Sequence, residues 1–305
     1  MAAIQFGVNV RAVASPQDFQ RLIRRAGELG YDVFAAPDHL SGLAADRAGA
    51  LAPFSALAAA AMVSPRLRLR TYVLNVGFWN PALLAREVAT LDVLSDGRAE
   101  LGIGAGHMRS EHEDARLPWL PLAQRIRALE TTVLEVRRRL ADPASQPRPV
   151  QRPVPLLVGA MSRQGLSVAA RHADVVGFAG TKQVKGAPAG TLTLCSAAET
   201  ADRVDGVRRV AGGRRYRSDI LLQAVVIGDT PEQAAAELAA QAPALTADLV
   251  LDSPAVLLAR DAEQAAAELR RRQQVYGFDS VTTHQANLEA LGEVIAAYRA
   301  AGAPS

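Results

Sequence analysis

Short apolar runs alternate with longer segments of helical apolar spacing eight times along the chain, and no other feature narrows the fold as much. Ile4 to Val10 reads as a buried strand, and Ser15-Pro16 opens a helix with apolar positions at Phe19, Leu22, Ile23, Ala26 and Leu29 that Gly30 closes. Strands follow at Val33 to Ala36, Leu67 to Asn75, Ala99 to Ile103, Pro155 to Val158, Val175 to Phe178, Ile220 to Ile227 and Ser280 to Thr283. Between and after them, helices are expected at Phe54 to Val63, Pro81 to Leu94, Leu122 to Leu140, Gln164 to His172, Ala197 to Ala211 and Leu288 to Ala300. A further helical stretch, Pro231 to Gln241, Thr246 to Leu251 and Asp261 to Tyr276, makes an insertion between strands seven and eight. Parallel strands joined by right-handed helical crossovers place every helix on one side of the sheet, so eight of them close into an α/β (β/α)8 TIM barrel.

A barrel of this kind takes about 250 residues and more with insertions, so the 305 residues are expected to form one domain, 1–305. The Pro-rich stretch from Asp142 to Pro155 is too short to separate a pair of cores and reads as a loop. A formal charge of +3 argues against a nucleic-acid partner, and the basic run from Arg208 to Arg217 reads as a solvated loop and strand entrance. Cys195 is the single cysteine, so no internal disulfide can form, and no Cys/His spacing resembles a metal site. The chain opens on the strand-like IQFGVNV, and no stretch is long and apolar enough to span a bilayer, which together suggest a cytoplasmic protein with no membrane association.

In such barrels chemistry sits at the carboxyl ends of the strands. The residues there are Asn9, Asp38-His39, Asn75-Val76, Gly104 to His107, Gly159 to Ser162, Phe178 to Thr181, Gln223 to Val225 and Thr283 to Gln285. His39, His107 and His284 are three of the five histidines, and their gathering on one rim favours a site over three separate structural roles. The turns Gly104-Ala105-Gly106 and Gly159-Ala160 let backbone N–H groups approach a ligand, although glycines that merely ease tight turns are commoner. Neither has the dinucleotide-binding spacing.

The segment Asn80-Pro81-Ala-Leu-Leu-Ala-Arg86-Glu87-Val-Ala-Thr90-Leu91-Asp92-Val-Leu94-Ser95-Asp-Gly97-Arg98, followed by Leu101-Gly-Ile-Gly104-Ala105-Gly106, closely resembles the bacterial luciferase-like monooxygenase family, in particular its actinobacterial branch dependent on coenzyme F420. Pro37-Asp38-His39, Leu156-Leu157-Val158-Gly159 and Ala169-Ala170-Arg171-His172-Ala173-Asp174 match further stations, so the likeness spans nearly the whole chain. The resemblance implies a non-proline cis peptide, placed at Asn75-Val76, forming a bulge behind the central ring of a flavin or deazaflavin. It implies Asp38 and His39 beside the coenzyme's pyrimidine side and the substrate cavity. Gly104, Ala105 and Gly106 would lie against the coenzyme. Gly159, Ala160, Met161 and Ser162, with Ala179, Gly180 and Thr181, would hold its phosphate.

The function implied is hydride transfer between the deazaflavin coenzyme F420 and a small organic substrate, in the tailoring of a secondary metabolite, with His39 or His107 moving the accompanying proton. A monooxygenase using reduced FMN is the alternative, and a cofactor-free binding or non-redox role is a third. Substrate-facing positions would be Asn9, Trp79, Gln223, Arg260 and His284. Four of the branch's usual patterns are replaced, by Trp79-Asn80-Pro81, His107, Leu258-Ala259-Arg260 and His284-Gln285, which points to an altered pocket. The family also suggests a homodimer packed through barrel helices.

Overall fold

A computed structural model of the chain describes residues 3–40 and 50–301. The chain begins with β1 (Gln5–Asn9), α1 (Pro16–Glu28), β2 (Val33–Ala36) and α2 (Pro53–Val63). Next come β3 (Arg68–Thr71), its short continuation β4 (Leu74–Asn75), α3 (Pro81–Leu94), β5 (Ala99–Gly104), α4 (Arg109–Asp114) and α5 (Leu122–Ala141). The middle holds β6 (Leu156–Ala160), α6 (Arg163–His172), β7 (Val175–Phe178), the hairpin β8 (Thr181–Gln183) and β9 (Leu192–Leu194), and α7 (Ala197–Ala211). Last are β10 (Arg217–Leu222), β11 (Ala224–Ile227), α8 (Pro231–Ala240), α9 (Ala247–Asp252), β12 (Val256–Ala259), α10 (Ala262–Tyr276), β13 (Ser280–His284) and α11 (Leu288–Ala300).

Eight parallel strand positions close into a barrel in the order β1, β2, β3 with β4, β5, β6, β7, β10, β13, and β13 pairs back onto β1 with Gln5 opposite Ser280 and Asn9 opposite His284. Alternation along each strand sends Phe6, Val8, Phe34, Leu69, Leu101, Ile103, Val158 and Val176 outward into the main core beneath the helices. The other parity points inward, and its lower layer is polar: Arg70, fully buried, is bonded to Glu100 and Asp219, while the Asp219 carboxylate also accepts from Tyr72, Ser280 and Thr282. Charged residues in a barrel interior survive there only because each finds a partner.

Helix ends follow the sequence signals. Ser15 caps α1 by accepting from the Asp18 N–H at 3.1 Å, with Pro16 in the first turn, and Ser196 and Glu199 form a reciprocal capping box on α7. The Ser95-to-Arg98 end of the family motif is framework. Arg98 donates to the carbonyls of Ser64 and Leu67 at 2.8 and 2.7 Å, tying the end of α2 to the start of β5. Asp174 does the same for β6, accepting from the Leu156 N–H and from Arg137 at 2.9 and 2.8 Å.

Several expectations need correction. The third strand is not continuous from Leu67 to Asn75, and the non-proline cis bond lies at Tyr72-Val73 instead of Asn75-Val76. The reason is space. Val73 reaches over positions kept empty by glycine, so that a Cβ at Gly104 or at Gly159 would come within 2.9 Å of a Val73 methyl. The seventh strand also breaks. After Leu222 the backbone leaves the barrel, the Gln223 N–H donates to the Ala255 carbonyl at 2.7 Å, and β11 pairs with β12 in a separate parallel two-stranded sheet. The segment between the seventh and eighth barrel strands therefore contains α8, α9 and α10 together with β12. Neither α4 nor the β8–β9 hairpin was foreseen, because both are too short to carry a periodic signal. Among the described residues no helix is long and apolar enough to cross a membrane.

Candidate active site

Above the polar lower layer, Gly104, Gly159 and Gly177 present no side chain to the upper half of the barrel. A cavity of about 2010 Å³ opens there at the carboxyl ends of the strands. Asn9, Asp38, His39 and Asn75 line it from β1, β2 and β4. Gly104, Ala105, Gly106 and His107 line it after β5, and Gly159, Ala160, Met161 and Ser162 after β6. Ala179, Thr181, Gln223 and His284 complete the expected set, while Tyr72, Val73 and Leu221 also reach the cavity.

Four expected residues fall outside the lining. Arg260 is exposed at the end of β12, since the β11–β12 pair has left the barrel. Trp79 turns back, its indole N–H donating to Asp38 Oδ2 at 2.8 Å and its ring packing edge-on to Phe54. Val76 is buried in the main core. Gly180 takes a left-handed turn, φ 69°, where a Cβ would collide with the Ala255 methyl, so it fixes the chain's path behind the wall.

His39 Nδ1 lies 2.8 Å from Glu111 Oε1, and the Leu40 N–H donates to the same oxygen at 3.2 Å. Glu111 is almost fully buried; burial pushes its carboxyl up, but the hydrogen bond from His39, the His39 charge and the Leu40 N–H together hold it below the usual range. With Nδ1 engaged, the His39 ring turns its other nitrogen away from Glu111. The side chain keeps 22% of its surface exposed in the cavity wall. His107 stands edge-on to His39 with ring centres 5.7 Å apart, and burial, followed by the His39 charge, lowers it to about 4. At neutral pH it is an uncharged imidazole.

Asp38 does more positioning than its sequence suggests. Its Oδ2 accepts from the Asn75 N–H at 3.1 Å as well as from Trp79, and burial raises the carboxyl above its ordinary range against those bonds. Asn75 in turn donates from Nδ2 to His112 Nε2 at 3.0 Å and accepts the Gly77 N–H at 3.0 Å. Gly106, at φ 70°, passes so close to the Asn75 amide that a Cβ would lie 2.5 Å from Oδ1. Asn75 and Gly106 are thus locked together as one piece of wall.

These observations join a closed parallel barrel to a cavity at its strand ends with a valine bulge over glycines. The chain also matches the luciferase-like monooxygenase family model over residues 1–303. It belongs to that family. The luciferase-like chain is 30% identical to an F420-dependent glucose-6-phosphate dehydrogenase of Amycolatopsis mediterranei over 179 residues, 53% of this chain and 52% of that one. It is 29% identical to an FMNH2-dependent dimethylsulfone monooxygenase of Pseudomonas putida over 179 residues, 53% and 46% of the two chains. The chain thus spans about half the length of these curated relatives. A solved F420-dependent secondary alcohol dehydrogenase superposes with a TM-score of 0.77 at 17% identity, covering 98% of this chain and 100% of that one. At that identity the likeness concerns the fold alone.

Besides Tyr72, Val73 and Leu221, three residues that shape the luciferase-like site escaped sequence reasoning. Glu111 and His112 lie on α4, and Arg125 at the start of α5 donates to the Gly106 and Ala105 carbonyls while its guanidinium stacks 3.9 Å over Trp119. The acidic run Glu111-His112-Glu113-Asp114 directly after the Gly-Ala-Gly turn was the available signal. Its weakness is that surface helices carry such runs too.

Proposed function

We propose that this protein is an oxidoreductase that passes hydride between the deazaflavin coenzyme F420 and a small organic substrate at the mouth of the barrel. The observation that carries the reading is the His39–Glu111 pair, a histidine with one nitrogen held by a buried carboxylate beside a cavity walled by the Val73 bulge. Bound deazaflavin would supply two-electron hydride chemistry, which obliges the protein to move one proton at the substrate. His39 is suited to that task, because Glu111 holds Nδ1 and fixes the ring's orientation. His107, neutral beside it, adds no charge to that wall.

The cavity's other side fits the rest of such a coenzyme. The close approach of Val73 to Gly104 and Gly159 makes a smooth apolar wall for a planar ring. Ser162 caps α6 by accepting the Gly165 N–H at 3.1 Å, leaving the first-turn N–H groups of Arg163 and Gln164 for an anion such as a phosphate. Oriented by Ser162, with Gly159 to Met161 alongside, these groups would hold it.

A reduced-flavin monooxygenase is the second reading, favoured by the relative that acts on dimethylsulfone. Titration of purified protein with each coenzyme separates the two. Micromolar binding of coenzyme F420, with oxygen uptake from reduced FMN no different from that of the free flavin, is the expected result; tight binding of reduced FMN with substrate-dependent oxygen consumption overturns the deazaflavin reading.

A further inference from the structure

We infer that His112 is a positioning residue for the proton-moving pair, holding α4 against the tip of β4 so that Glu111 meets His39. The inference deepens the redox reading and rests on it only for what His39 does with its proton.

Of the six residues of α4, Glu111 and His112 are the buried ones. A helix this short has too few internal hydrogen bonds to hold its own place, so those two side chains set where it lies. Glu111 reaches the tip of β2, 2.8 Å from His39 Nδ1, and His112 reaches the tip of β4, 3.0 Å from Asn75 Nδ2. The Asn75 backbone N–H in turn donates to Asp38, the chain neighbour of His39, at 3.1 Å. Three hydrogen bonds and two chain links, Asp38-His39 and Glu111-His112, thus close a ring of contacts around one side of the cavity. Opening any link leaves its neighbours held from one side only.

The sense of each bond follows from groups that can act in one way. The Pro118 carbonyl, 3.1 Å from His112 Nδ1, can only accept, so Nδ1 carries the proton. The Gly77 N–H, 3.0 Å from Asn75 Oδ1, can only donate, so the Asn75 amide turns Nδ2 toward His112 and Nε2 accepts. The ring has little room to turn otherwise: a Cβ at Gly77 would come within 2.7 Å of His112 Cε1, and Phe78 and Trp119 flank it with ring centres 5.1 and 5.0 Å away. The Glu111 carboxylate likewise only accepts, so His39 also carries its proton on Nδ1. A histidine ring in water favours the Nε2–H form, and which nitrogen is protonated is set by the bond the other residue offers. Both rings therefore hold the less common tautomer, and each reports whether its partner is in place.

The test reads these tautomers by long-range proton–nitrogen NMR of protein with labelled histidine, at alkaline pH; with five histidines, single substitutions assign every signal. The wild type is expected to show the Nδ1–H form at His39 and at His112. His112→Phe keeps an aromatic ring but neither donates nor accepts, and should lower the His39 ratio of Nδ1–H to Nε2–H about tenfold. His112→Gln offers an amide oxygen to Asn75 and an N–H to Pro118, and should bring the ratio back to within about twofold of wild type. A side chain that merely fills space would lower the melting temperature without moving that ratio. If His112→Phe does not fold, Asn75→Leu makes the same comparison from the other side of the broken link, and the wild-type tautomers decide where neither folds. An Nε2–H form at His112 in the wild type, an unchanged His39 ratio in the folded variant, or failure of His112→Gln to restore it overturns the inference. Binding of coenzyme F420 is titrated on the same samples. The expected tautomers without coenzyme binding uphold the positioning role and remove the redox reading, whereas coenzyme binding with an unmoved His39 ratio removes the positioning role alone.

Discussion

Replacing His107 by phenylalanine keeps an aromatic ring edge-on to His39 and removes one titratable group from the cavity wall. Burial, with the His39 charge behind it, holds His107 at about 4, whereas an ordinary histidine titrates at 6.5. Between those values the unfolded chain binds a proton that the folded chain refuses. The group's contribution to stability is therefore intact above pH 6.5 and drains away as the pH falls toward 4. At about 1.4 kcal/mol for each tenfold change in proton affinity, the whole interval is worth about 3 kcal/mol. The same titration gives a loss of about 0.2 kcal/mol at pH 7 and about 2 kcal/mol at pH 5. Urea unfolding of both proteins at these two pH values isolates this contribution, because every other group titrates in both. The wild type should lose about 2 kcal/mol more than His107→Phe on going from pH 7 to pH 5. Parallel pH profiles would refute the reasoning, and with it the assignment of the proton to His39, since a histidine titrating near neutrality could serve equally well.

Glu100→Gln should cost about 3–5 kcal/mol at pH 7, because Arg70 in the barrel interior loses its closer charged partner and keeps only Asp219 at 3.4 Å. The wild-type Glu100 carboxyl is held low: burial raises it, but the charges of Arg70 and Arg68 outweigh that, so its stabilisation is full above the ordinary carboxylate range and fades as pH falls through the lowered folded value. Denaturant melts in acid should show this sensitivity in the wild type and not in the variant. Gly159→Ala forces Val73 aside and should destabilise by about 1–3 kcal/mol while weakening coenzyme F420 binding in titrations. Gly206→Ala, where a Cβ meets nothing within 4 Å, should stabilise by about 0.4–1 kcal/mol and leave coenzyme binding alone.

Much of the barrel could be read in the chain because its determinants are local. A run such as Val33 to Ala36 or a cap such as Ser15 carries its own signal in a few residues. The same locality placed sixteen expected site residues around one cavity, since in a closed parallel barrel whatever follows a strand arrives at the same rim. The family motif was legible for another reason. Arg98 and Asp174 bind backbone carbonyls and amides at element ends, a task that depends little on what the cavity holds.

What the linear sequence could not supply were features made by residues far apart in the chain. Nothing near Val73 announces the bulge, because the room for it is made by Gly104 and Gly159 on other strands. Trp79 and Arg260 carry side chains suited to a pocket, yet one is drawn back by Asp38 and the other carried off on β12. Glu111 gained its place only when α4 brought it beside His39, from 72 positions away. Hydrophobic spacing fixes where strands and helices form, and their closure fixes the rim. Which groups on that rim are charged, neutral or unpartnered depends on burial and on neighbours that only the folded chain assembles.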